Sequence, residues 1–126
     1  MGKVRSLFGL VAAVIVLLSS YAHAILGWRA LGGELAKTNA PADLVTGLEI
    51  GWRWGGMVMI PLGLILLSTF WPRFNGRPGP AKLPAALIAM TYIGAGGWAF
   101  VQSNYDPFFF IFIVPGVLMA LAVSGD

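Results

Sequence analysis

Four long apolar segments restrict what this chain can fold into. They cover about residues 7–31, 46–71, 83–102 and 107–123. Each is close to the roughly 20 helical residues that cross a hydrocarbon layer about 30 Å thick. Inside a bilayer only helices and closed β-barrels satisfy their own backbone hydrogen bonds, and these segments lack the alternating pattern of barrel strands. The sequence therefore predicts an all-α integral membrane protein with four transmembrane helices.

The composition agrees with residence in a membrane. Of the residues, 58% are hydrophobic and only 10% are charged, whereas a soluble domain is about one quarter charged. The net charge of +3 is small and scattered, so we expect no nucleic-acid partner. The 126 residues are enough for a single membrane domain, 1–126. We expect this domain to be surrounded by the lipid bilayer. We expect a multi-pass protein of the cell membrane, of the bacterial inner-membrane type.

Short connections between the apolar segments predict an up-down bundle with antiparallel neighbours. The basic residues then set its orientation. Five of the eight lie on the side that holds both chain ends: Lys3, Arg5, Arg73, Arg77 and Lys82. The other three lie on the opposite side: Arg29, Lys37 and Arg53. Because basic residues are enriched in cytoplasmic segments, we expect both ends of the chain in the cytoplasm. The acidic residues follow the reverse pattern, since Asp126 alone falls on the cytoplasmic side.

The first apolar segment also has features of a secretory signal peptide. Lys3 and Arg5 precede it, and Ala22-His23-Ala24 has the small-x-small form of a cleavage site. Cleavage there would remove the first helix. The apolar run, however, continues through Ile25 to Trp28, and it is longer than the roughly 7 to 15 residues of a signal-peptide core. We therefore expect the helix to be retained.

An acid–base pair stands at the start of the second apolar segment. Glu49 and Arg53 are four residues apart, so they share one helix face. The same face continues with a three-or-four spacing through Gly56, Ile60, Gly63 and Leu67. Small residues on a membrane helix usually pack against another helix, and we therefore expect Arg53 to point along the bundle. A surface pair facing the headgroups is the alternative interpretation.

A polar and aromatic pocket is predicted at the outer side of the bundle. His23 lies roughly 24 Å along the first helix from Leu7, near the outer boundary. The candidate lining residues are His23, Glu49, Trp52, Arg53, Trp98 and Gln102. An ionisable residue inside a membrane is a functional hypothesis by default, although His23 has the alternative of a hydrogen bond to a neighbouring helix. The sequence has one histidine and no cysteine. We therefore expect no metal, haem or other cofactor and no catalytic residue.

Three classes of function remain. The first is a non-enzymatic small membrane protein, which is either a structural or assembly subunit of a membrane complex or a binder of a lipid or quinone. Its partners would be other membrane subunits, a second copy of the chain, or a hydrophobic small molecule. The second is a small proton-coupled transporter using His23 or Glu49. A membrane enzyme comes last, because no paired carboxylates, metal cluster or activated nucleophile can be assembled.

Overall fold

The computed structural model describes residues 2–125, which form helices and connecting turns without strands. We number four helices: α1, Gly2–Leu35; α2, Ala42–Phe74; α3, Leu83–Gln102; and α4, Pro107–Val123. The first three are long and apolar enough to cross a membrane, and α4 is a shorter apolar helix that begins with one 3₁₀ turn. The expected all-helical fold is thus confirmed for the described residues, with three helices of membrane-spanning length and composition.

Two helices are longer than the apolar segments that predicted them. α1 has 34 residues and α2 has 33, so each is about 50 Å long at 1.5 Å per residue. Hydropathy detects only the part of a helix that needs an apolar surrounding, whereas a helix can continue through polar residues once its ends reach water. The bounds of α3 and α4 are those of the third and fourth apolar segments. The candidate cleavage site at Ala22–Ala24 lies inside α1.

The helices are arranged in the order α2, α1, α4, α3. α1 packs along α2 and against α4, and α4 packs along α3, while α2 and α3 touch only lightly. The buried core contains mostly small and branched side chains from all four helices: Ala12, Ala13, Val16, Leu66, Phe70, Ala85, Ile88, Ala89, Tyr92, Met119 and Ala122. Because α2 and α3 are neighbours with few contacts, the bundle is loosely closed on that side.

Close approach of α1 and α2 depends on glycine. A Cβ atom at Gly56 would stand 2.5 Å from the Ala24 Cβ and 2.9 Å from the Ser20 carbonyl oxygen. At Gly63 it would meet the Leu17 side chain at 2.5 Å. These two positions are seven residues apart and therefore lie within about 20° of one another around the helix. They form the contact line on which α1 rests, as small residues do in membrane helices.

The reversal between α3 and α4 follows the pattern of its sequence. Asp106 precedes Pro107, and its Oδ1 accepts a hydrogen bond from the Phe108 amide at 2.9 Å. This caps the first turn of α4, where proline is well tolerated because that amide needs no helical partner. Asn104 and Tyr105 adopt left-handed backbone angles, with φ of 58° and 67°. The chain thus turns back within four residues, Ser103–Asp106, and α3 and α4 pack side by side.

The two ends of the bundle differ in charge. The basic end comprises the start of α1, the loop 75–82 and the end of α4. The acidic end comprises the loop 36–41, the turn 103–106 and the helix ends beside them. Every acidic residue that the structure describes lies on the acidic side of the bundle: Glu34, Asp43, Glu49 and Asp106. Asp126 lies outside the described residues.

Candidate ligand cavity

A π-helical turn interrupts α1 where His23 lies. Residues Ala22–Gly27 have π rather than α hydrogen bonding, within an otherwise continuous helix. Such turns occur frequently at functional positions. Gly27 lies within this turn, and a Cβ there would stand 3.0 Å from the Trp52 Nε1. The turn and its glycine therefore make room for the indole of Trp52 on α2.

His23 and Trp52 are joined in two ways. Their rings stack with centroids 4.7 Å apart and planes within 6° of parallel. The Trp52 Nε1 also donates a hydrogen bond of 2.7 Å to the backbone carbonyl oxygen of His23. The pair therefore fixes α1 against α2.

This pair forms one wall of a cavity of about 540 Å³. All four helices contribute to it, and its volume falls in the range of small-molecule sites, about 300–1,000 Å³. The lining is mainly apolar and aromatic, with three polar side chains, those of Ser19, His23 and Tyr92. Its aromatic side is completed by α4, through Phe108, Phe109 and Phe112. The composition suits a flat apolar ligand that carries a few polar atoms.

Tyr92 contributes the most unusual polar group of the cavity. Its side chain is 7% exposed, and its hydroxyl is buried without a hydrogen-bond partner among the described residues. Leaving a buried hydroxyl unpaired costs about 1–3 kcal/mol, so an unpaired hydroxyl calls for a physical explanation. Its ring lies beside that of Phe112, with centroids 6.1 Å apart. Tyr92 lines the cavity, whereas its hydroxyl oxygen is covered by protein atoms, so a ligand acceptor would pair with it only after those atoms shift.

The opening of the cavity is apolar. Leu26, Phe108 and Ile111 line it, yet their side chains are 49%, 63% and 42% exposed, respectively. Large apolar side chains that are exposed on helices of membrane-spanning length are more stable against lipid than against water.

A shallower groove of about 480 Å³ lies on the other side of the His23–Trp52 pair. It is lined by the first turns of α2, from Asp43 to Gly51. The pair therefore separates the cavity from a groove at the acidic end.

The predicted pair Glu49–Arg53 forms but lies away from the cavity. The Arg53 Nε and Nη2 atoms each lie 2.8 Å from the Glu49 Oε1. The two side chains are 44% and 38% exposed, for Arg53 and Glu49, and neither lines the cavity. Arg53 is offset by about 60° around the helix from Gly56, because three residues turn a helix by about 300°. The residues spaced by three or four along α2 therefore cover a wide face of the helix, and of these Gly56 and Gly63 pack against α1.

Trp98 and Gln102 also lie outside the cavity lining. Trp98 is 68% exposed, and Gln102 is exposed as well. Gly96 marks the face of α3 that packs on α4, since a Cβ there would stand 2.9 Å from the Phe112 Cβ. Trp98 and Gln102 are rotated from that face by about 160° and 120°. Of the six predicted site residues, the structure therefore brings only His23 and Trp52 together at the cavity.

Sequence reasoning missed most of the lining. Tyr92 is a lone tyrosine in the middle of the third apolar segment, and the segment Pro107–Phe112 contains four phenylalanines. Both features could have indicated the cavity. A hydroxyl within a membrane span needs a hydrogen-bond partner, and clustered aromatic side chains need a surface to pack on. Met59 lines the cavity as well. Nothing in its own sequence neighbourhood distinguishes it from the exposed Met57.

The fold and the cavity define a class: an all-helical protein with helices of membrane-spanning length and an aromatic cavity between them. Within residues 2–125 no group of three or more histidine, aspartate or glutamate side chains could hold a metal ion. No protein-family model matches the chain, and neither a curated protein nor a solved structure was found to match it. Its function must therefore be inferred from the site itself.

Proposed function

We propose that the chain is an integral protein of the bacterial inner membrane with four transmembrane helices and with the basic end in the cytoplasm. α4 is about 25 Å long at 1.5 Å per residue, close to the thickness of the hydrocarbon layer. It returns the chain from the acidic end to the basic end. The basic end carries five of the eight basic residues, in keeping with the positive-inside rule.

We further propose that the protein binds one hydrophobic molecule of the quinone class, rather than catalysing a reaction. The observation that carries the proposal is the aromatic cavity of about 540 Å³ between the four helices, with the stacked His23–Trp52 pair as one wall. A quinone ring offers a flat face for stacking on aromatic side chains, and its carbonyl oxygen accepts a hydrogen bond from a hydroxyl. Its isoprenoid tail would leave through the apolar opening beside Leu26 and Phe108.

A binding role is favoured over proton-coupled transport by the core beneath the cavity. Each helix places a buried apolar side chain below the cavity, toward the basic end: Val16 on α1, Leu66 on α2, Ile88 on α3 and Met119 on α4. The buried hydroxyls of Ser6 and Thr69 at that end donate to backbone carbonyls of their own helices. Val16, Leu66 and Met119 are fully buried. A transporter needs a polar path that alternately opens to both sides. A cavity in one half above an apolar floor supports the holding of a ligand.

The proposal is tested by titrating the purified protein in nanodiscs with decylubiquinone. Met59→Trp should reduce binding by filling the cavity, whereas Met57→Trp places the same ring on an exposed position of the same helix and should leave binding unchanged. Tyr92→Phe should weaken binding about three- to tenfold through the lost hydrogen bond. Tyr105→Phe, at an exposed loop tyrosine, is its control. Equal affinities for Met59→Trp and Met57→Trp would contradict a quinone in this cavity.

A further inference from the structure

A second cavity, at the basic end, concentrates positive charge. It has a volume of about 330 Å³, and its lining includes four basic side chains from three parts of the chain. Arg5 comes from the first turns of α1, Arg73 from the end of α2, and Arg77 and Lys82 from the loop 75–82. The lining described by the structure contains no carboxylate. The helix terminus at Gly2 adds a partial positive charge, so every charged feature in this lining favours an anion.

Two of the four cations hold the wall of the cavity in place. The Arg73 guanidinium donates to the carbonyl oxygens of Thr69, Gly79 and Pro80 at 2.6, 3.2 and 2.7 Å. The Lys82 ammonium donates to the Gly125 carbonyl oxygen, at the end of the described chain. These bonds tie the loop 75–82 to α2 and to the segment after α4. The cavity is therefore shaped before any ligand arrives, and preorganisation of this kind reduces the cost of binding.

Arg5 and Arg77 have a different role. Within residues 2–125 neither guanidinium has a hydrogen-bond partner. Gathering four like charges around one small cavity is unfavourable unless an anion is present to offset their repulsion. Guanidinium groups bind phosphate oxygens through pairs of parallel hydrogen bonds. The geometry thus suits a phosphate that contacts Arg5 and Arg77, with Arg73 and Lys82 adding positive potential.

We propose that this cavity binds a phosphate group, that of an anionic phospholipid headgroup. A phosphate of a soluble molecule has the same chemistry, but the position of the cavity favours lipid. It lies where the apolar spans end, and basic cavities between membrane helices at the cytoplasmic side are recognition sites for anionic headgroups. The helix surfaces beside it are apolar and exposed, at Val4, Leu7 and Leu83, and they provide a path for acyl chains.

The experiment compares retention of phosphatidylglycerol and phosphatidylcholine by the full chain in detergent, measured by native mass spectrometry. Phosphatidylglycerol should be retained preferentially. The preference should fall by about 25-fold in the double variant Arg5→Gln and Arg77→Gln, at roughly fivefold for each basic group. The control for each single variant, Arg5→Gln or Arg77→Gln, is Lys3→Gln, which removes one charge at the same end but outside the cavity and should retain the preference. A loss in Lys3→Gln equal to that in the single variants would overturn the proposal, because diffuse charge would then explain the binding.

Further arms distinguish the sources of the phosphate. Excess inorganic phosphate should not displace phosphatidylglycerol if the acyl chains contribute; complete displacement would overturn the assignment to lipid in favour of a soluble phosphate. The single variant Arg77→Gln, at an exposed loop position, gives a second reading should the double variant unfold, and it should weaken retention about fivefold. If phosphatidylglycerol were retained only by the variant Asp126→Asn, the proposal would also be overturned, because the Asp126 carboxylate would then be the anion that occupies the cavity.

Discussion

Trp52 carries more of the site than any other residue, because it stacks on His23, donates to the His23 carbonyl oxygen and lines the cavity. Both residues could be predicted from the sequence, since a histidine within a span and a tryptophan at its boundary are uncommon enough to mark a position. Tyr92 could not be placed in the same way. Its hydroxyl matters only because α3 turns it into the interior, and that rotation is set by packing on α4.

The residue-scale prediction concerns Glu49 and Arg53. Since both side chains are partly exposed, the ion pair should contribute little to stability. In a double-mutant cycle of Glu49→Gln and Arg53→Gln, we expect a coupling of at most about 0.5 kcal/mol. Thermal unfolding in detergent measures it. A coupling of about 1 kcal/mol or more would mean that the pair faces the protein interior.

At the scale of the helices, apolar segment length predicted where helices occur but not where the two long ones end. α1 continues to Leu35 through Gly32 and Gly33, although glycine disfavours a helix, and α2 begins at Ala42, directly after Pro41. The hydropathy of these small and polar residues marks neither end. The π turn at Ala22–Gly27 left no distinct signal in the sequence. It depends on Trp52 packing against Gly27, a contact between residues far apart in the chain, and local patterns do not record such contacts.

The element-scale prediction tests the contact line between α1 and α2. Gly56→Ala introduces a Cβ that would stand 2.5 Å from the Ala24 Cβ and 2.9 Å from a backbone oxygen, so it should destabilise the protein by about 1–3 kcal/mol. Gly51→Ala is the matched control on the same helix, because a Cβ there meets nothing within 4 Å. The control should be neutral or stabilising by about 0.5–1 kcal/mol. Similar unfolding temperatures for the two variants would rule out this contact.

At the scale of the whole molecule, the order α2, α1, α4, α3 creates the cavity, because it leaves α2 and α3 in light contact. Hydropathy predicts that helices cross a membrane, but it does not predict which helices are neighbours. The predicted outer pocket therefore included Trp98 and Gln102, which are at the right height on α3 but on its exposed side. Height along the membrane was readable from the sequence, whereas rotation about each helix axis was not.

The topology prediction uses a chain that has no cysteine. Cysteines placed singly at Asn39, Asn75 and Ser124, all exposed positions, can be labelled with a membrane-impermeant maleimide in intact cells. Asn39→Cys should react from outside, and Asn75→Cys and Ser124→Cys should react only after permeabilisation. Labelling of Ser124→Cys from outside would remove α4 from the list of spans, and labelling of all three from one side would contradict the bundle.

The most direct test of the proposed function is quenching of tryptophan fluorescence by decylubiquinone. Two chains are compared, each retaining one of the five tryptophans, either Trp52 in the cavity wall or Trp98 on the exposed face of α3, with phenylalanine at the other four positions. We expect saturable quenching of Trp52 and only a gradual, non-saturating quenching of Trp98 by quinone dissolved in the lipid. Non-saturating quenching of Trp52, equal to that of Trp98, would contradict a quinone site between the four helices.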